Sequence, residues 1–315
     1  MAPELRHLRY LLAVAEHHSF TRAAEELRIS QPTLSQQVKQ LERAVGVPLL
    51  DRGGRTVRLT DAGEAYARHA RRALRDLAAA ERAVHDVADL SRGHLRLALT
   101  PTFTAYLLGP LLAALHETHP GITVQVREAT QDRIEAALAS DEVDLGIAFD
   151  GPLPAGLTGT ALFTERPVLV AATASPLAAR AAGALPDGAL PDGALPVSEL
   201  MKCQLVLLTP DFATRTYVDA HLAAHGVRPR IAVEVGSVQA LIEVVRRTGL
   251  ATVLPEAVTD GRPELTRIPL APPLPPRTVV LLRRDRAYES AAARAFTGLA
   301  RDLAVSLGYR PAPRA

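Results

Sequence analysis

Gln31, Thr33, Ser35, Gln36, Lys39 and Gln40 recur at spacings that set them on one side of a helix, and each is a hydroxyl, an amide or a cation. Such groups suit duplex DNA. Glutamine pairs with adenine edges, lysine with guanine, and a helix N-terminus presents free N–H groups to phosphate. Pro32 falls in the first turn, where a missing N–H costs nothing. A solvated helix face is the alternative; the scarcity of acidic residues on this face and the elements before it favour DNA. Arg22, on the preceding segment, joins this set.

The elements that must position this face are legible around it. Ser19 is placed to cap a helix whose apolar side carries Phe20, Ala23, Ala24 and Leu27. Arg28-Ile29-Ser30 reverses the chain, and Ser30 caps the next helix, with Leu34, Val38 and Leu41 as its buried stripe. After Gly46, residues 49–59 read as two short strands joined at Gly53-Gly54. Arg52, Arg55 and Arg58 would project from that hairpin toward a minor groove or the flanking backbone; a hairpin merely kept soluble by charge is the alternative.

These residues resemble the winged helix-turn-helix of LysR-type transcriptional regulators, and the likeness runs on. Thr60-Asp61-Ala62-Gly63-Glu64 resembles the start of that family's long linker helix, and residues 91–97 the start of its effector domain. Within the family, Thr100-Pro101-Thr102-Phe103-Thr104, residues 143–149, Phe212-Ala213-Thr214-Arg215 and residues 270–274 are most similar to the cyanate-responsive members. The resemblance implies an α/β chain: a winged helix-turn-helix at 1–60, a linker and dimerisation helix at 61–90, and a two-lobed effector domain at 91–315, similar to periplasmic binding proteins. Lobe I would take 91–165 and 267–315, and lobe II 166–266. It also implies homodimers or homotetramers, contact with RNA polymerase, activation of a catabolic operon and repression of the chain's own gene.

Asp61 is expected to cap a helix reaching about Leu90, filled with alanine and arginine and free of proline. Tyr66, Ala70, Ala73, Leu77, Ala80, Val84 and Val87 alternate by fours and threes within it, a coiled-coil seam on which two subunits could pair; a helix packed on its own domain is the alternative. Pairing would set two recognition helices on an inverted repeat.

From His94 onward short apolar strands alternate with helices: 95–99, 122–126, 145–149, 168–172, 204–208, 231–235, 251–254 and 278–282. That alternation is an α/β architecture. Small anions bind where a strand gives way to a helix. Thr100-Pro101-Thr102 and Gly236-Ser237-Val238 are two such places, although capping accounts for Thr102 and Ser237 equally well. The resemblance adds Thr100, Thr102, Thr130 and the strand end at Phe149 to an inducer site for a small anion, cyanate, with Phe103 and Phe149 as walls. Arg215 could lend charge, but reads more simply as an exposed helix arginine.

An enzyme is the main competing class, with a free solute-binding protein behind it. The ten histidines show no HExxH spacing; His116 and His119 lie three apart on a presumed helix end, and neither a phosphate-cradling loop nor GxSxG occurs. No cofactor or metal is therefore expected. Asp141 and Asp144 suit turn and capping roles. Residues 1–60 hold nine basic against six acidic residues, a surplus of three within a chain of net charge +2. Basicity thus gathers where DNA is expected. The 315 residues, 48% hydrophobic, suffice for about two cores. No apolar run reaches membrane-spanning length, and the first residues lack an export signal's apolar core, so a cytoplasmic protein is expected. The single cysteine, Cys203, excludes an intrachain disulfide and reads as a buried strand-edge residue. Residues 183–196 repeat a Pro-Asp-Gly unit, read as a loop insertion, and the prolines at 269–276 as a rigid connection.

Overall fold

The computed structural model describes residues 4–53, 56–88, 93–182, 194–285, 287–307 and 309–311. They divide into two compact units, 1–85 and 86–315. The first contains α1 (Leu5–His17), α2 (Phe20–Glu26), α3 (Gln31–Val45), the strands β1 (Leu50–Asp51) and β2 (Arg58–Leu59), and most of α4 (Asp61–Ala88). Leu11, Val14, Ala23, Leu34, Val38, Leu41 and Leu49 form its core. The expected caps are present, Ser19 accepting from the Arg22 amide and Ser30 from that of Thr33. Gly46, at φ +84°, ends α3 in the left-handed region that glycine tolerates.

Helix α1 was not anticipated, and the cap of α4 differs from expectation. Thr60, not Asp61, holds the start of α4: its hydroxyl accepts from the Gly63 amide at 3.0 Å and donates to the Pro48 carbonyl at 2.9 Å. Asp61 instead sits in the first turn, where its charge suits the helix dipole. Gly63 is required there because a Cβ would fall 1.9 Å from the Leu49 carbonyl oxygen. The described part of α4 ends at Ala88; Leu90 lies outside the described residues.

The second unit adds β3 (Gly93–Leu99), α5 (Pro101–Thr104), α6 (Leu108–Thr118), β4 (Ile122–Glu128), α7 (Gln131–Ala139), β5 (Leu145–Phe149), β6 (Leu157–Glu165), β7 (Pro167–Ala172) and α8 (Pro176–Ala182). There follow β8 (Leu195–Pro196), β9 (Gln204–Leu208), α9 (Ala213–Ala224), β10 (Arg230–Val235), α10 (Val238–Arg247), β11 (Thr252–Pro255), β12 (Leu265–Ile268), β13 (Leu270–Ala271), β14 (Arg277–Arg284), α11 (Ala291–Ser306) and β15 (Arg310–Pro311). All eight expected strands are found; β6, β8, β12, β13 and β15 are additional.

One sheet has the order β15-β6-β14-β5-β3-β4, with β3 parallel to β4 and β5, and β14 antiparallel to its neighbours. This is the first lobe. The second lobe holds β11-β7-β12, the parallel pair β9–β10 and the parallel pair β8–β13. Because β12 pairs with β7 and β13 with β8, the chain recrosses between Ala271 and Arg277, later than the expected 267. A continuous apolar cluster spans both lobes, from Leu95, Phe103 and Phe296 to Val206, Leu241 and Leu254. The repeat at 183–193 lies outside the described residues. No helix of the described residues is long and apolar enough to cross a membrane.

A DNA-reading face and an interlobe anion seam

On α3 the stripe of Leu34, Val38 and Leu41 is fully buried, which turns Gln31, Pro32, Thr33, Gln36 and Lys39 outward and leaves Ser35 half-buried. The anticipated set therefore shares one accessible side. Thr33 also exchanges a 2.7 Å hydrogen bond with Ser30, so its hydroxyl is partly committed to the cap. Arg22 and Arg58 are exposed. Arg55 lies outside the described residues.

Arg52 does not project freely. Its guanidinium donates to Glu42 at 2.8 Å and lies 5.4 Å from the centre of the Phe20 ring. Glu42, which the sequence did not single out, also accepts from the backbone amides of Leu49 and Leu50 at 2.9 and 3.1 Å. One carboxylate on the recognition helix thus anchors the strand that begins the wing and the arginine that follows it. A glutamate in the last turns of α3 was the available signal; its target is a backbone seven residues away, which composition does not reveal.

The seam expected on α4 divides. Tyr66 packs on the first unit's own core and Ala70 is 4% exposed, so both serve the fold of a single chain. Both positions thus face the chain's own domain, the alternative given for this helix. Ala73 is exposed and Leu77 half-buried, while the side chain of Val84 lies outside the described residues.

In the second unit, the expected inducer residues separate into three places. Thr102, Phe103 and Phe149 come together in the seam between the lobes, and Thr100 caps the start of α5 beside β5. Thr102 and Phe103 are buried on α5, and Phe103 meets Phe149 at 5.0 Å between ring centres. The Thr102 hydroxyl lies 3.3 Å from that of Thr214, on α9 of the second lobe. Thr100, 4% exposed, has a hydroxyl without a hydrogen-bond partner. Pro101 and Thr130 instead line an open groove of about 1000 Å³ that continues past Arg133 and Asp211. The Thr130 hydroxyl bonds Asp132 and holds that carboxyl below its usual range. Ser237 is an exposed cap of α10, accepting from the Ala240 amide at 3.4 Å.

The charge in the seam comes from an unexpected residue. Arg215 is buried, not exposed, and is consumed by Asp219 at 2.9 Å, Glu234 at 2.6 Å and the Leu208 carbonyl at 2.7 Å. Arg277, the first residue of β14, lies inside the seam with its guanidinium 3.8 Å over the Phe149 ring and 4.8 Å from that of Tyr217. It pairs with Glu165 and donates to the Thr214 hydroxyl at 3.4 Å. Its Nε is buried without a partner. Glu165 in turn accepts from the Tyr106 hydroxyl at 2.7 Å; burial, reinforced by Glu165, pushes that phenol well above its usual pKa. Tyr217, driven by burial to about 12, donates to the Pro275 carbonyl.

A buried charge that keeps one donor unmet is an arrangement that a small acceptor-rich ligand would complete. Glu165 lies 112 residues from Arg277, so no local spacing could have shown the pair. Cys203 is half-buried, its thiol donating to the Glu199 carbonyl at 3.4 Å, with burial raising its pKa. Among the described residues no group of three or more His, Cys, Asp or Glu could hold a metal.

A helix-turn-helix with a short wing, joined by a long helix to a two-lobed α/β unit, defines a DNA-binding transcriptional regulator of the LysR family, and this chain belongs to it. The profile described as "Bacterial regulatory helix-turn-helix protein, lysR family" matches residues 5–64, and that described as "LysR substrate binding domain" matches residues 88–304. The chain is 30% identical over 302 residues to the "Uncharacterized HTH-type transcriptional regulator YfeR" of Shigella flexneri, covering 95% of this chain and 93% of that protein. Over 140 residues, 44% of this chain and 46% of the other, it is 38% identical to the DNA-binding transcriptional dual regulator OxyR of Escherichia coli. Its fold is shared with a full-length OxyR variant from Pseudomonas aeruginosa, at TM-score 0.69 and 24% identity over 100% of this chain and 99% of that one. Full-length CbnR complexed with its target DNA is similar at TM-score 0.54 and 24% identity, covering 95% and 99%. The relatives are regulators rather than enzymes.

Proposed function

We propose that this regulator senses a small anion in the interlobe seam, with cyanate as the inducer, and that binding alters how two or four subunits engage an inverted-repeat operator. The observation that carries the reading is Arg277: a buried guanidinium with one N–H unmet, flanked by Phe149 and Tyr217 and joined to both lobes through Glu165 and Thr214. A small linear monoanion needs few donors, and the unmet N–H at Arg277 Nε would supply one. The motifs at 100–104 and 212–215 resemble those of cyanate-responsive members and favour cyanate over a larger carboxylate.

On the DNA side, Gln31, Pro32, Thr33, Ser35, Gln36 and Lys39 would read base edges and phosphates, with Arg22, Arg55 and Arg58 on the flanking backbone. Arg52 would act through the wing's geometry. Pairing would use the outer part of α4 around Ala73, Leu77 and Val84. The regulator would work in the cytoplasm, activate a neighbouring catabolic operon through RNA polymerase and repress its own gene. A peroxide-type dithiol switch within one chain is excluded by the single cysteine.

The test is a mobility shift and footprint on the chain's own promoter region with cyanate, formate or no addition, for the wild type and Arg277→Met. Cyanate should change the footprint or bend of the wild type only. An unchanged footprint with cyanate removes cyanate as inducer, and an equal response from Arg277→Met removes the seam as its site.

A further inference from the structure

Gln37 stands in the middle of α3, four residues after Thr33 and three before Gln40, and was not among the residues expected to meet DNA. That spacing puts it on the strip of helix surface running from Thr33 to Gln40, at the margin that touches α1. Its side chain is half-buried.

A series of hydrogen bonds decides which end of its amide it presents. The Glu4 backbone N–H donates to Nδ1 of His7 at 3.0 Å. A backbone N–H can only donate, so Nδ1 holds a lone pair and the proton of the neutral ring sits on Nε2. That Nε2 lies 2.9 Å from the Gln37 side-chain oxygen, so the bond runs from ring to amide. An amide is ordinarily free to turn over, exchanging its acceptor for its two donors. Here it is not: turning it would set N–H against N–H beside a ring that is 2% exposed, where water has little access.

The NH2 group of Gln37 is therefore the end left over. It donates to no described residue and is not sealed from solvent, so it offers its N–H groups at the edge of the DNA-reading face. A glutamine with both ends free matches adenine, which presents a donor and an acceptor; one with its oxygen committed serves acceptors alone. Phosphate oxygens beside the groove and purine N7 and O6 atoms within it share that chemistry.

We propose that Gln37 is a donor-only contact to acceptor atoms of operator DNA, and that His7, buried in α1, is the positioning residue that holds its amide in that sense. The proposal rests on α3 being the DNA-reading helix. It makes the start of α1 part of the reading apparatus, since the Glu4 amide fixes the ring and the ring fixes what Gln37 can touch.

The experiment measures affinity of the full chain for its own promoter fragment and for an unrelated duplex of equal length, at fixed salt, beside thermal unfolding. Gln37→Met removes the donors and should lose about tenfold in affinity, the scale of one hydrogen bond to a charged acceptor. Gln37→Glu returns an acceptor to His7, so it should recover the unfolding temperature without recovering affinity. An equal loss of Gln37→Met on both duplexes places the contact on phosphate, and a loss confined to the promoter places it on a purine; either supports the donor role. His7→Leu should also weaken binding, yet His7→Leu with Gln37→Met should bind no worse than Gln37→Met alone, because the ring acts through the amide. Additive losses overturn the role of His7, and the Gln37 variants decide the contact even where His7→Leu does not fold. Wild-type affinity in Gln37→Met, with Lys39→Ala weakened, overturns the proposal; wild-type affinity in both overturns the assignment of α3 itself.

Discussion

Replacing Glu42 by alanine tests how the recognition helix carries the wing. Its carboxylate, whose side chain is 13% exposed, is the acceptor for the Leu49 and Leu50 amides and for Arg52. Leu49 and Leu50 are 0% and 4% exposed, so water is a poor substitute. An unmet buried donor costs about 1–3 kcal/mol. Two of them, partly relieved by local adjustment, put the loss near 2–4 kcal/mol. The Arg52 pair adds less than about 1 kcal/mol, because its guanidinium is a third exposed and screened. At 1.4 kcal/mol per decade, opening of the wing becomes roughly 30- to 700-fold more frequent. Hydrogen exchange on the full chain reads this directly, in peptides covering 46–52. Those peptides should lose protection by that factor while peptides from β14 remain unchanged, and affinity for promoter DNA should fall with them. Glu42→Gln keeps an acceptor and should lose about a third as much. Protection within threefold of wild type in Glu42→Ala would refute the anchor.

Ser30→Ala removes the cap of α3 and should cost about 1 kcal/mol, seen as faster exchange in its first turn with the hydrophobic stripe still closed. Lys39→Ala should weaken promoter binding for all sequences alike and reduce the salt slope of log affinity by about one; an unchanged slope places Lys39 off the phosphates. Glu165→Ala leaves Arg277 charged and alone in the seam and should destabilise the second unit by about 3–5 kcal/mol, with Glu165→Ala plus Arg277→Met recovering most of it in thermal unfolding. Tyr217 and Tyr309 ionise at about 12 in the folded chain and near 10 when unfolded, so folding is favoured below pH 10 and that contribution is lost as pH rises to 12. Ultraviolet titration should show these phenols ionising late, and Tyr217→Phe should flatten the alkaline loss of stability.

The DNA-reading half was readable because its signals are local. A cap at Ser30, a stripe of Leu34, Val38 and Leu41, and a polar remainder all lie within one helix. Helix α1 was missed because His7 occupies its buried face, bonding Gln37 at 2.9 Å across to α3 and interrupting an otherwise apolar stripe. Strand β6 hides its period because the register with β14 shifts between Val279 and Val280, which breaks the alternation. The arginines exchanged roles for a different reason. Arg215 looked exposed because the sequence does not show that Glu234, on a separate strand, closes over it. Arg277 looked like part of a proline-rich connector because its partners, Glu165 and Thr214, are brought to it only by the sheet and by the meeting of the lobes.

Tyr217 ties two things that would otherwise move separately: its hydroxyl holds the carbonyl of Pro275, and its ring lies against the guanidinium two residues later. The strand that passes from one half of the domain to the other is therefore gripped at the point where it hands over. A guest no larger than three atoms, by drawing that guanidinium aside, would shift the ring and with it the bend of the connecting chain. Under the proposed function, leverage of this kind would let a tiny solute reorient masses far greater than itself.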